Sequence, residues 1–220
     1  MELYFTRHGR TEWNKEKRLQ GSNGDSPLLP ESRKQIAAFG RYLAKVPFEK
    51  IYVSPAKRAI DTAKILKQAS KCAAPLIITP ALKEIGLGRL EGEYIKEAQA
   101  AFPQEMENLR HHPDRYDPKI FGGEPFPHAI ARTTRCVLEA YHQAQHGPLL
   151  FVGHGASLTA CVQTLVGTAL ADTRKMGGLK NNSLTIVQAE TPAPPFRLVE
   201  WNELPFLKGG RAFESGDDLI

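Results

Sequence analysis

Leu3-Tyr4-Phe5-Thr6-Arg7-His8-Gly9-Arg10-Thr11-Glu12-Trp13-Asn14 runs from an apolar stretch straight into an Arg-His-Gly turn crowded with polar groups. The apolar run predicts a buried strand, and in α/β proteins chemistry gathers in the loops beyond the carboxyl ends of such strands. His8 falls in that loop. Gly9 removes a side chain beside it and lets backbone approach a ligand, while Arg7 brings a planar fork of N–H donors matched to phosphate oxygens. The stretch predicts a histidine held in a cationic pocket.

A second histidine occupies an equivalent place. Pro148-Leu149-Leu150-Phe151-Val152 predicts the clearest buried strand of the chain and ends at Gly153-His154-Gly155, ahead of an apolar helix from Ala156 to Val166. Two strand-end histidines flanked by glycine converge if their strands are neighbours in one parallel sheet. Lys50 to Ser54 predicts another strand, followed by an amphipathic helix from Ala56 to Ala69. Arg58 then lies in the first turn of that helix, beside free backbone N–H groups that readily hold an anion.

The remaining elements follow from periodicity. Apolar residues at helical spacing predict helices over Pro30–Val46 and Phe126–Gln145, and Leu76–Thr79 predicts a short strand. Leu82 to Gly88 returns towards the pocket and carries Glu84. Leu29 has no side chain able to cap the helix that begins at Pro30, although proline itself suits a first helical position. Leu184–Val187 and Phe196–Trp201 predict a closing hairpin at the sheet edge. Glu93 to Tyr116 is the most polar part, with one short helix expected over Tyr94–Phe102. The region around 93–125 is expected to form a lid or insertion on a single domain spanning 1–220, and the Gly-rich, charged tail at 207–220 to be flexible.

Composition narrows the class. The chain has 220 residues, 41% hydrophobic and 24% charged, ordinary for a soluble globular protein with one substantial core. No apolar run is long enough to cross a bilayer, and the start Met1-Glu2-Leu3 lacks a signal-like pattern, so a cytoplasmic protein without membrane partners is expected. The formal charge of +5 is spread along the chain and not gathered in one stripe, which disfavours nucleic acid as a partner. Cys72, Cys136 and Cys161 have no disulfide or zinc spacing and are expected to be reduced, mostly buried thiols. His111 and His112 point in different directions on a helix and have no third ligand at a recognisable spacing, so no metal is expected.

The chain resembles the histidine phosphatase superfamily, which includes phosphoglycerate mutases and many small-molecule phosphatases. The resemblance rests on ordered blocks: Arg7-His8-Gly9-x-Thr11-x-x-Asn14, Leu19-Gln20-Gly21, Asp25-Ser26-Pro27-Leu28, Ser54-Pro55-x-x-Arg58-Ala59-x-x-Thr62-Ala63, Leu82-x-Glu84, Gly88-x-x-Glu91-Gly92, Gly122-Gly123-Glu124 and Val152-Gly153-His154-Gly155. It implies a phosphoglycerate mutase-like fold, a three-layer α/β/α sandwich with a mostly parallel central sheet. It also implies that His8 becomes phosphorylated and that Glu84 protonates the leaving oxygen and then activates water. Arg7, Asn14, Arg58 and His154 would form the phosphate pocket, with Gly155 beside it and groups near Gln20 and Gly21 closing it. Glu91 fits the pattern too and is assigned a structural role. The chain departs from the family by carrying Leu29 and Ser32 where Thr and Gly are usual, and one extra residue between Gly21 and Asp25.

Elementary chemistry agrees. Neutral imidazole attacks phosphorus near neutral pH, and the nearby charges of Arg7 and Arg58 disfavour protonation of His8. The leading expectation is a phosphomonoesterase acting on a small phosphorylated metabolite, without metal or other cofactor, as a monomer or homodimer. The alternative is a cofactor-dependent phosphoglycerate mutase, primed by 2,3-bisphosphoglycerate. The family's mutases carry a longer basic insertion after the Glu-Gly block, whereas the basic residues here, Lys96, Arg110 and Arg115, do not match it. A second alternative is an inactive module that binds phospho-ligands. Phe102, Phe121 and Phe126 are expected to pack in the core rather than to line a substrate pocket.

Overall fold

The computed structural model describes residues 1–207, and the part of the expected flexible tail at 208–220 lies outside the described residues. Six strands form one sheet in the order β3-β2-β4-β1-β5-β6: β1 (Glu2–Arg7), β2 (Lys50–Val53), β3 (Leu76–Ile78), β4 (Leu149–Gly153), β5 (Leu184–Gln188) and β6 (Arg197–Glu203). The first four of that order are mutually parallel, and β5 and β6 add antiparallel as the hairpin that ends at the sheet edge.

The pleat sorts side chains into two layers, because successive residues of a strand point to opposite faces. Leu3, Phe5, Tyr52, Leu149 and Phe151 face one core together with α6 (Phe126–Gln143) and α7 (Gly155–Leu165). Tyr4, Ile51, Val53, Leu150 and Val152 face the other, against α2 (Pro30–Tyr42) and α3 (Lys57–Ser70). With both faces covered, the central strands are apolar throughout, which is why β4 is buried along its whole length. Phe151 stacks between Phe5 and Tyr52, at 5.1 and 5.3 Å.

A third cluster lies beyond the carboxyl ends of the strands. It is built from α4 (Ile95–Ala101), α5 (Pro103–His111) and the start of α6, through Ile95, Leu109, Tyr116, Phe121 and Phe126. Phe121 and Phe126 are buried there and Phe102 packs against them, as expected of core residues. α5 adds to the sequence reading, which named one short helix in this region, over Tyr94–Phe102. Its apolar contacts, Met106 and Leu109, are only two in nine residues, too few to mark a helix until the tertiary fold gives them a surface to bury.

Other departures concern helix ends. α2 stops at Tyr42, short of Val46; α6 stops at Gln143; and α7 starts at Gly155 with His154 as its N-cap residue. α2 begins at Pro30 with no side-chain cap, and the amide of Leu29 instead donates to the Arg10 carbonyl at 2.9 Å. Of the three cysteines, all free, only Cys161 is fully buried; Cys72 and Cys136 are half-buried. No helix among the described residues is long and apolar enough to cross a membrane.

Candidate active site

Parallel register brings the two histidines together. Arg7 pairs with Gly153 across β1 and β4, so His8 and His154 are the next residues of adjacent strands, and the His8 amide donates to the Gly153 carbonyl at 2.9 Å. Their rings lie 5.2 Å apart, edge to face. Ser54 follows β2 on the other side of β4 and contacts His154.

Arg58 organises both rings. Its Nε donates to His8 Nε2 at 3.2 Å and its Nη2 donates to His154 Nδ1 at 3.1 Å. The other donors reach the Gly21 carbonyl, the Gly24 carbonyl and Asp25 Oδ1 at 2.9, 2.6 and 3.2 Å, so all five N–H groups have protein acceptors. A guanidinium only donates, and this settles both tautomers. His8 carries its proton on Nδ1, which donates to the Gly9 carbonyl at 2.7 Å, and presents the Nε2 lone pair. His154 carries its proton on Nε2, which donates to Ser54 Oγ at 2.6 Å. Burial first, then the charges of Arg58 and Arg7, holds the His8 imidazole well below its ordinary value. His154 is lowered in the same way by burial, Arg58, His8 and Arg7.

The reactive face opens into a cleft whose walls include Arg7, His8, Asn14, Gln20, Gly21, Arg58, Glu84 and Gly155. Eight of the nine residues singled out from sequence thus share one cavity. His154 is the exception: it is fully buried behind Arg58 with both ring nitrogens engaged, and it supports the cavity without lining it. Arg7 anchors through Nη1 to the Leu179 carbonyl at 3.0 Å and lies flat against Gly155, where a Cβ would meet its guanidinium at 3.1 Å. Asn14 closes a capping box with Thr11 at the start of α1 (Glu12–Glu16), which fixes its side chain towards the cleft.

Glu84 enters from the segment between β3 and α4, and its carboxylate sits on the N-terminus of α7. It accepts from the amides of Ala156 at 3.0 Å and Ser157 at 2.8 Å, and from Ile85 at 2.8 Å. A helix N-terminus favours a negative group there. Glu91 has the structural place expected of it: it accepts from the amides of Ser22, Asn23, Gly24 and Leu87, and so holds the Gly21–Gly24 turn whose carbonyls grip Arg58. Gly21 needs its left-handed φ of +62°, and a Cβ there would run into the Glu91 carboxylate.

The combination of a neutral strand-end imidazole, two arginines and a carboxylate on a helix N-terminus matches one known group along almost the whole chain: the family model of the histidine phosphatase superfamily, branch 1, matches residues 3–204. The chain belongs to the histidine phosphatase superfamily. Among curated relatives, the probable phosphoglycerate mutase GpmB of Enterobacter sp. (strain 638) is 26% identical over 221 residues, covering 100% of this chain and 94% of that protein. Fructose-2,6-bisphosphatase TIGAR B of Danio rerio is 41% identical over 92 residues, 41% of this chain and 36% of that protein. Among solved structures, Bacillus stearothermophilus YhfR superposes with a TM-score of 0.84 at 29% identity, covering 92% of this chain and 96% of that one. A mycobacterial glucosyl-3-phosphoglycerate phosphatase in complex with VO3 gives 0.82 at 27%, covering 91% and 98%. The chain therefore has proteins named as phosphatases and as probable phosphoglycerate mutases among its relatives.

Four further residues of the site went unnoticed in the sequence. Lys17 and Arg18 line the outer cleft, beside an apolar wall of Ile85, Leu87, Ile95 and Leu109. Arg132 holds the backbone at Glu84, at 3.0 Å from its carbonyl. Arg174 is buried, with Nε donating to the Arg110 carbonyl at 3.2 Å and Nη1 without a partner among the described residues, close enough to Glu84 and Arg7 for their charges to act on it. Nothing in the local pattern marks these residues, since a cation in a polar stretch reads as solvated. Thr62 was legible as part of a motif. Its hydroxyl donates to the Arg58 carbonyl, four residues back on α3, at 2.7 Å and accepts the Gly9 amide at 3.0 Å, tying the two motifs together.

Proposed function

We propose that the protein is a phosphomonoesterase that hydrolyses a small phosphorylated metabolite through a phosphohistidine on His8. The observation that carries this reading is the unprotonated Nε2 of His8, set by the Nδ1–H bond to Gly9 and turned towards a cleft bounded by Arg7 and Arg58. Nε2 attacks phosphorus in line with the ester oxygen, and Arg58 Nε–H, keeping its proton, changes acceptor from that lone pair to a phosphoryl oxygen as the P–N bond forms. Arg7, Arg58 and the Asn14 amide neutralise the charge on the three equatorial oxygens, and His154 keeps Arg58 in place from behind. These groups supply the neutralisation without a metal ion.

Glu84 takes up a proton with the bound phosphoester and gives it to the departing alkoxide, then takes one from the water that attacks the phosphohistidine, which restores His8 and releases phosphate. Its Oε1 accepts two amides and its Oε2 one, so Oε2 keeps the open position that meets the leaving group. The carbon part of the substrate rests on the apolar wall, under the basic rim of Lys17 and Arg18.

Hydrolysis is favoured over mutase transfer because Lys96 and Arg115 point to solvent and Arg110 does not line the cleft, so the basic residues after the Glu-Gly block do not form a grip for a phosphoglycerate carboxylate. The deciding assay compares phosphate release from a panel of phosphomonoesters, with chelator present, against conversion of 3- to 2-phosphoglycerate with 2,3-bisphosphoglycerate added, using His8→Ala as the control. Phosphate release that disappears in His8→Ala is expected. Mutase turnover with little phosphate release would replace this reading, and absence of any phosphoenzyme would leave a phospho-ligand binding module.

A further inference from the structure

Glu84 lies in a segment with no helix or strand of its own, between the 3-10 turns Pro80–Leu82 and Gly88–Leu90. Its backbone is held mainly by side chains. Arg132, in the second turn of α6, donates through Nη1 to the carbonyls of Ala81 at 2.8 Å and Lys83 at 2.7 Å, and through Nη2 to that of Glu84 at 3.0 Å. Its Nε and Nη2 also bind Glu124 side-on, at 2.8 and 2.7 Å. All five guanidinium N–H groups are used. Glu124 in turn reaches past Glu84: its amide donates to the Gly86 carbonyl at 2.7 Å and its Oε2 accepts the Gly86 amide at 3.3 Å. The pair therefore brackets Glu84, three carbonyls on one side and a reciprocal pair of bonds on the other.

A bidentate guanidinium–carboxylate pair is rigid in a way that a flexible ammonium is not, and three of its remaining donors are spent on carbonyls within four residues of the chain. These contacts converge around the one residue of the segment whose carboxylate faces the cleft. Proton transfer is sensitive to such placement, because a displacement of about 1 Å costs roughly 100-fold in rate.

We infer that Arg132 and Glu124 form a positioning clamp that aims the Glu84 carboxylate at the leaving-group oxygen, so that breaking the clamp removes proton transfer while leaving phosphoryl binding intact. The inference rests on the proposed role of Glu84. Arg132 and Glu124 touch no reacting atom; they act through Glu84.

The test measures kcat/KM, which covers the steps up to phosphoenzyme formation, for an alkyl phosphate and for p-nitrophenyl phosphate, whose leaving group needs little protonation. The full-length variants are Arg132→Gln, Arg132→Lys, Glu84→Gln and the Arg132→Gln/Glu84→Gln double, with inhibition by inorganic phosphate as the binding readout. Arg132→Gln is expected to lose roughly 30- to 100-fold on the alkyl ester and less than about 3-fold on p-nitrophenyl phosphate, with phosphate inhibition unchanged within about 3-fold. Added to Glu84→Gln, it should cost nothing further on the alkyl ester, as residues acting through one group are non-additive. Arg132→Lys, lacking the fork, should fall between. Equal losses on both substrates, or losses that multiply in the double variant, would overturn the clamp. If Arg132→Gln does not fold, Glu124→Gln carries the same test, with the same selective pattern expected at smaller size and an unselective loss overturning it. A wild-type chain that releases no phosphate, or a Glu84→Gln variant that loses equally on both esters, would instead refute the proposed function, a result distinct from failure of the clamp alone.

Discussion

His8 and His154 make the fold acid-sensitive in a way that can be worked out from the site. Burial and the guanidinium charges of Arg58 and Arg7 lower both imidazoles well below 6.5, whereas in the unfolded chain each binds a proton at about 6.5. Below that value the unfolded state holds more protons than the folded state, so stability is lost as pH falls through the unfolded value. The sign is that of a depressed base: the contribution is absent above about pH 7.5 and grows as acid is added. Between about pH 7.5 and about pH 5.5 each histidine removes about 1.4 kcal/mol, from the linkage relation with a folded imidazole that stays neutral throughout. Urea unfolding at those two pH values, for the wild type and for His8→Asn, isolates one contribution. Asparagine keeps an N–H near the Nδ1 position to serve the Gly9 carbonyl. The difference between the two pH values should shrink by about 1.4 kcal/mol in the variant, whatever its absolute stability. An unchanged difference would mean that His8 takes up its proton in the folded protein as it does in the unfolded chain, and the nucleophile assignment would lose its physical basis.

Three other outcomes are expected. Glu84→Gln should lower kcat/KM for alkyl phosphates by about 100-fold or more while sparing p-nitrophenyl phosphate to within roughly tenfold, in steady-state assays; equal losses would remove Glu84 as proton donor. Glu91→Ala strips the acceptor from four backbone amides and frees the turn that holds Arg58. It should cost about 3 kcal/mol in urea unfolding together with most of the activity, and a loss below about 1 kcal/mol would show that water replaces the carboxylate. Arg174, brought down to about 10 by burial, is charged at neutral pH at a cost to folding of about 3 kcal/mol, a penalty relieved only as pH rises past that value. Arg174→Met should therefore raise stability at neutral pH by about 2 kcal/mol after loss of its bond to Arg110, and a drop in melting temperature would contradict that balance.

The order of elements and the chemistry of the phosphoryl pocket were legible in the sequence because both depend on local signals. The apolar run Leu149–Val152, short and bounded by Pro148 and Gly153, reads as a buried strand, and a glycine-flanked histidine at its end has few structural uses. Arg7 and Arg58 were found for the same reason, each beside a strand end, whereas Asn14, Gln20 and Gly21 were placed by the resemblance to the family's ordered blocks.

What only the tertiary structure decided are the relations between segments far apart in the chain. The sequence placed His154 in the phosphate pocket, but Arg58 and Ser54, each about a hundred residues away, take both of its nitrogens and set it behind the cavity. α5 forms because the α4–α6 cluster offers Met106 and Leu109 a surface, which their own spacing does not announce. Arg132 looks like any cation on an amphipathic helix until folding brings the carbonyls of Ala81, Lys83 and Glu84 within its reach, and Arg174 like a solvated loop residue until burial strips its water. Hydrophobic pattern and strand-end motifs are properties of neighbouring residues and survive in one dimension. The partners of a guanidinium or a carboxylate depend on distances across the fold, and those exist only once the sheet and its helices have closed around them.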